Sequence, residues 1–163
     1  MRTENEVLAQ LIDFANVDDK VRAVILNGSR VNPKVEKDIF CDYDVVFSVT
    51  DPDYYLRNQA WIQRFGELVI MQRNNDKIGG RNKYFFLMQF KDGVRIDLSF
   101  DPVECITQTI ANDSLTKVLL DKDNVIKPLP LPVKSSVIYL KNEIGITKTD
   151  LKKYDEKYGV ANQ

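Results

Sequence analysis

There is no histidine among the 163 residues of this chain. That absence excludes Ser-His and Cys-His catalysis, zinc sites of the Cys₂His₂ type and histidine general bases. Acid–base or metal chemistry must therefore rest on carboxylates. Cysteine is scarce as well. Cys41 and Cys105 are too few for a disulfide framework or a four-cysteine zinc site, and they read as small buried residues of a reducing compartment. No run approaches the roughly 18 apolar residues that a membrane helix needs. The polar, acidic start Met1-Arg2-Thr3-Glu4-Asn5-Glu6 lacks the character of a signal peptide. The expectation is a cytoplasmic chain with no membrane partner. A basic excess is missing too: 23 Lys and Arg stand against 24 Asp and Glu, a net charge of −1. Duplex nucleic acid is therefore disfavoured as the main partner.

What is present is ordinary for one globular domain, with 44% hydrophobic and 29% charged residues, enough for a real core. Thr3-x-x-Glu6 fits a capping box. Val7, Leu8, Leu11, Ile12 and Ala15 follow at helical spacing, so residues 4–15 read as an amphipathic helix. Val21 to Leu26 is a β-branched run that stops at Asn27-Gly28-Ser29, a strand ending in a turn. From Asp42 to Val49 the chain alternates: Tyr43, Val45, Phe47 and Val49 share one face, and Asp42, Asp44, Val46 and Ser48 the other.

Asp51-Pro52 predicts a helix start, with the helix running to Phe65 and capped by Gly66. Leu68 to Gln72 and Tyr84 to Phe90 read as strands joined by a polar loop over 73–83 that holds Gly79-Gly80. Asp92-Gly93 marks a hairpin turn. Beyond it Val94, Ile96, Leu98 and Phe100 form an apolar face, with Arg95, Asp97 and Ser99 on the polar one. Asp101-Pro102 predicts another helix start, and Leu115 to Leu120 one more helix. Pro128, Pro130 and Pro132 read as an extended linker before a short lysine-rich tail. The order describes a mixed α/β sheet covered by helices, with a domain over 1–127 and a linker and further segment over 128–163.

Three features carry chemistry. Gly28-Ser29-Arg30 follows a buried strand, and a glycine there lets the backbone turn and approach a ligand, with N–H groups and the Ser29 hydroxyl free to hold phosphate oxygens. Read alone, Gly-Ser at a strand end is an ordinary turn. Asp42-Tyr43-Asp44 puts two carboxylates on one strand face, where sharing divalent cations would keep both ionised. The same spacing at Asp51/Asp53 and Asp121/Asp123 falls at a helix start and a turn, where Asp is capping or solvated. Asp97 lies on the polar face of another strand, against propensity, and two strands that break the same rule suggest a shared site. The plain alternative is a solvent-exposed face.

Taken in order, the chain resembles the aminoglycoside (streptomycin) 6-adenylyltransferases, within the polymerase-β-like nucleotidyltransferases. The resemblance rests on Leu26-Asn27-Gly28-Ser29-Arg30, Asp42-Tyr43-Asp44, Trp61 to Gly66 with Ile70-Met71-Gln72, Arg95-Ile96-Asp97-Leu98 and Lys117 to Asp123, across residues 1 to about 127. It implies transfer of AMP from ATP to a hydroxyl of an aminoglycoside. Asp42 and Asp44 would hold Mg²⁺, and Asp97 would complete the triad as general base or third metal ligand. Gly28, Ser29 and Arg30 would bind the nucleotide, with Lys122 either reaching a phosphate or simply solvated. The resemblance also implies a helical C-terminal domain about as long as this chain, which supplies much of the antibiotic-binding surface. Residues 146–158, with Lys153-Tyr154-Asp155, would be its opening. Without that domain the readings left open are weak acceptor binding, an inert nucleotide-binding module, a small nucleotidyltransferase acting on a protein, or completion of the site by a homodimer.

Overall fold

The computed structural model describes residues 1–111 and 115–126. The Pro-rich segment, the boundary near 127 and the tail read from the sequence lie outside the described residues. No helix among the described residues is long and apolar enough to cross a membrane.

The helix predicted at the N-terminus is α1, Glu4–Val17, and it opens on the expected capping box between Thr3 and Glu6. Val7, Leu11, Phe14 and Ala15 are its buried stripe. Six strands follow among the described residues: β1 Val21–Asn27, β2 Tyr43–Val49, β3 Leu68–Ile78, β4 Arg81–Phe90, β5 Arg95–Pro102 and β6 Thr116–Asp121. They form one mixed sheet in the order β3-β4-β5-β2-β1-β6. Only the central pair, β2 and β5, runs parallel. The chain makes that crossover through α2, Pro52–Arg57, a 3₁₀ segment Gln59–Phe65 and the β3–β4 hairpin.

One face of the sheet is apolar and lies under α1 and the Gln59–Phe65 segment. Tyr43, Val45 and Phe47 pair in register with Ile96, Leu98 and Phe100, and all belong to the hydrophobic core. Phe100 is its centre, with Phe47, Tyr55, Trp61 and Phe86 rings 4.2 to 5.8 Å away, within the range in which aromatic pairs add to area burial. The reverse face of the same two strands runs Asp44 beside Asp97, then Val46 beside Ser99, then Ser48 beside Asp101.

Four elements differ from the sequence reading. The polar loop over 73–83 is strand: β3 and β4 pair from Leu68↔Phe90 to Ile78↔Arg81. Gly79 and Gly80, at φ +54° and +76°, make the tight turn between them. β3 is a sheet edge with both faces largely exposed, so it carries no alternation to read. Leu115 to Leu120 is not a helix but leads into β6, which pairs with β1. Asp101 does not cap a helix. β5 continues through Pro102, and α3, Ile106–Ala111, starts only after a 3₁₀ turn at Val103–Cys105. Asp101 is instead fully buried, accepting hydrogen bonds from Lys83 Nζ at 3.1 Å, Thr109 Oγ1 at 2.8 Å and the Ser99 hydroxyl. The long helix expected over 52–65 is broken at Asn58, where the chain is extended.

Candidate functional site

The reverse face of the sheet brings the predicted acids to one end of the central strands. Asp44 on β2 has two cross-strand neighbours, Asp97 on β5 and Asn27 on β1, each on a strand roughly 4.8 Å away. Asp42 precedes β2 with the same parity as Asp44. Asp97 is half-buried, and burial first, then the Asp42 charge, pushes its carboxyl above the usual carboxylate range, with Arg95 opposing. Asp42 and Asp97 thus share one field.

Gly28 closes the site from β1. It has φ +78°, a conformation that favours glycine. A Cβ built there would overlap Asp44 Oδ2 and lie 3.3 Å from its Cγ. The Gly28 N–H is already committed, donating to Leu115 O at 3.1 Å. Thr116 Oγ1 lies 3.1 Å from Asn27 Oδ1. The start of β6 therefore braces the Gly28 turn, and the donors left for a ligand begin at Ser29. Ser29 is partly buried in the 3₁₀ turn Gly28–Val31.

Two observations test whether a divalent cation fits this wall. Asp42 Oδ1 is buried and has no hydrogen-bond partner among the described residues. Arg95 Nε lies 3.3 Å from it, off the direction of a hydrogen bond, so their contact is electrostatic. The glycine at 28 lets the Asp44 carboxylate stand where a Cβ would otherwise lie. The donors are carboxylate oxygens, the hard ligands that Mg²⁺ prefers. No group of three acidic side chains among the described residues closes on one point. The acids form a wall and not a cage, which suits an ion held by one or two carboxylates together with substrate phosphates and water.

Two of the residues predicted to bind nucleotide are placed elsewhere. Arg30 lies on the α1 side of the sheet, with its guanidinium 3.6 Å from the Tyr43 ring centroid and 3.9 Å from Glu4 Oε1. It donates to the main-chain oxygens of Cys41 and Asp42, not toward the open side of the turn. Lys122 is at the far end of β1 from Gly28. Its main-chain N–H bonds to Arg22 O, and its ammonium donates to the Ala15 and Asp18 carbonyls that end α1. Burial lowers its pKa from the ordinary lysine value. It is a cap on a helix C-terminus, where a cation is favoured. Arg95, Asn27 and Leu115 are the neighbours of the site given no role from the sequence. Arg95 shares the polar face of β5 with Asp97, a signal that could have found it. The contact through Leu115 joins distant segments and leaves no local pattern.

The sequence and the fold match known proteins. The crystal structure of an aminoglycoside 6-adenyltransferase from Bacillus subtilis superposes with a TM-score of 0.64 at 26% identity, covering 99% of this chain and 60% of that one. The architecture is the mixed α/β fold of that adenyltransferase. Aminoglycoside 6-adenylyltransferases are also similar in sequence: that of Campylobacter jejuni is 40% identical over 135 residues, covering 81% of this chain and 47% of the relative. That of Staphylococcus aureus is 34% identical over 145 residues, covering 83% and 50%. A family model described as streptomycin adenylyltransferase matches residues 1–143, and the chain belongs to that family. It spans about half the length of the curated relatives it matches.

Proposed function

We propose that this chain is the nucleotide-handling part of an enzyme that transfers AMP from ATP to a hydroxyl of an aminoglycoside such as streptomycin. The observation that carries the reading is the pairing of Asp44 with Asp97 behind a glycine turn that a side chain would block. Asp42 and Asp44 would hold Mg²⁺, and Asp97 would complete the set as a base toward the acceptor hydroxyl or a third ligand. Bound Mg²⁺ would neutralise phosphate charge and help align an in-line attack at the α-phosphorus. The Ser29 hydroxyl, at the head of the turn, would donate to the triphosphate. Asn27 and the first residues of β6 hold that turn against the carboxylate wall. Negative charge on the wall also favours a polycationic amino sugar as acceptor. Family resemblance leaves the remaining acceptor surface to the second half of the longer relatives.

The test combines binding and turnover. Calorimetry with Mg²⁺-ATP should show binding by the wild-type chain and a large loss in Asp42→Asn and Asp44→Asn. Equal affinity in all three would refute the metal assignment. With labelled ATP, Mg²⁺ and a panel of acceptors, label should move to streptomycin or another aminoglycoside. Pyrophosphate release that depends only on an acceptor of another class would refute the substrate.

A further inference from the structure

Asp42 is the one acid of the three that the sheet does not hold. Pairing of β2 begins at Tyr43↔Ile96 with β5 and ends at Asp44↔Asn27 with β1. Asp42 lies outside both ladders, at the end of the irregular segment that leaves the Gly28–Val31 turn. Ile39 and Phe40 in that segment are 65% and 77% exposed, so apolar packing does not fix it either. A ligand carboxylate needs a fixed main chain, because backbone drift moves the oxygens by the same distance.

Arg30 supplies the missing constraint. Its side chain is only 8% exposed. Nε donates to Asp42 O at 3.1 Å and Nη2 to Cys41 O at 2.6 Å. One rigid planar fork therefore grips two consecutive carbonyls. The guanidinium itself is fixed by its stack on Tyr43 at 3.6 Å and by Glu4 at 3.9 Å. Tyr43 is a core residue, so the chain of contacts runs from the core through Arg30 to the main chain of Asp42. Arg30 also belongs to the same 3₁₀ turn as Gly28 and Ser29. The turn that carries Gly28 and Ser29 thus also holds, through Arg30, the main chain of an acid just before the neighbouring strand.

We infer that Arg30 is a positioning residue for the Asp42 carboxylate and not a phosphate ligand. This rests on the reading above that Asp42 holds a divalent cation. The expected size follows from other groups that orient metal ligands, whose loss weakens metal affinity by roughly ten- to hundredfold.

The experiment is a Mn²⁺ titration followed by electron paramagnetic resonance, on the full chain and on Arg30→Gln, Arg30→Lys, Asp42→Asn and Arg30→Gln/Asp42→Asn. Circular dichroism confirms that each is folded at the temperature used. Metal-free ATP binding in the presence of a chelator is measured in parallel. Arg30→Gln should weaken Mn²⁺ roughly tenfold or more, and Arg30→Lys, which keeps charge but not the fork, should fall between. The double variant should bind no worse than Asp42→Asn alone, because residues acting through one ligand are not additive. Metal-free ATP affinity should not change. Should Arg30→Gln fail to fold, the Arg30→Lys value carries the test. Unchanged Mn²⁺ affinity in the Arg30 variants, with Asp42→Asn impaired, would overturn the inference alone. So would additive losses, or loss of metal-free ATP binding with Mn²⁺ retained. Unchanged Mn²⁺ affinity in Asp42→Asn would remove the underlying reading and the inference with it.

Discussion

Gly28 and Asp44 are packed against each other, so that a Cβ at 28 would overlap Asp44 Oδ2. Gly80 provides the comparison. Its φ of +76° is close to the +78° of Gly28, but a Cβ there meets nothing within 4 Å. Alanine at either position should lose about 1 kcal/mol of stability to the left-handed backbone. Only Gly28→Ala should also lose Mg²⁺-ATP affinity, by roughly tenfold or more, a decade for each ~1.4 kcal/mol of lost binding. Calorimetry and thermal melts on the two variants check this. Equal Mg²⁺-ATP affinity in both would mean the turn has no part in the site.

Arg95 is the cation already facing the wall. Its Nε is 3.3 Å from Asp42 Oδ1, and its side chain is 51% exposed, so the pair contributes at most about 1 kcal/mol. A divalent ion on Asp42 must compete with it. Arg95→Gln should therefore tighten Mn²⁺ binding, by roughly two- to fivefold at low salt, with a smaller gain at high salt. Weaker binding in Arg95→Gln would show instead that Arg95 orients Asp42.

Much of this molecule is readable before any coordinates. The capping box and the 3.6-residue stripe give α1, and strict alternation in β2 and β5 separates Tyr43, Val45 and Phe47 from the face that carries Asp44. Those segments are legible because one face is core and the other is not. β3 has no buried face for most of its length, so its residues look like loop. β6 is short, and an apolar run such as Val118-Leu119-Leu120 suits a helix or a strand equally. Asp101-Pro102 has the form of a helix start, yet tertiary partners at Lys83 and Thr109 claim the carboxylate. Arg30 and Lys122 pose the same difficulty. A cation beside a glycine turn or an Asp pair suggests phosphate, but their partners are main-chain oxygens contributed by distant segments, which no local pattern encodes.

Asp101 should be a stability residue and nothing more. It is fully buried and paired with Lys83, itself only 12% exposed. It lies four residues along β5 from Asp97, roughly 13 Å away. Asp101→Ala leaves the Lys83 ammonium without its counterion and should cost about 3–5 kcal/mol. Lys83→Met/Asp101→Leu should recover a large part of that, because the desolvated pair is replaced by apolar packing. Urea denaturation measures both. Mg²⁺-ATP affinity of the folded variants should match wild type, and a specific loss of affinity would place Asp101 in the site.

Asp97 should show the opposite balance, with function gained at the expense of stability. Burial and the nearby Asp42 charge raise its carboxyl above the usual carboxylate range. In the metal-free protein the folded chain thus holds this proton more tightly than the unfolded chain does. As pH rises from the unfolded value of about 3.9 through the raised folded one, stability is lost, and above that window the penalty stays constant. Asp97→Asn removes the ionised group and should melt higher than wild type at pH 7, by a few degrees, in line with relief of a functionally strained position of about 1 kcal/mol. The difference should close as pH falls below about 3.9, where the wild-type carboxyl becomes protonated in both states. The same variant should lose AMP transfer. Differential scanning calorimetry at pH 7 and at about pH 3, in the presence of a chelator, tests the sign directly. A wild-type protein that melts at or above Asp97→Asn at pH 7 would show that Asp97 is stabilised where it sits, and that its place beside Asp44 is structural.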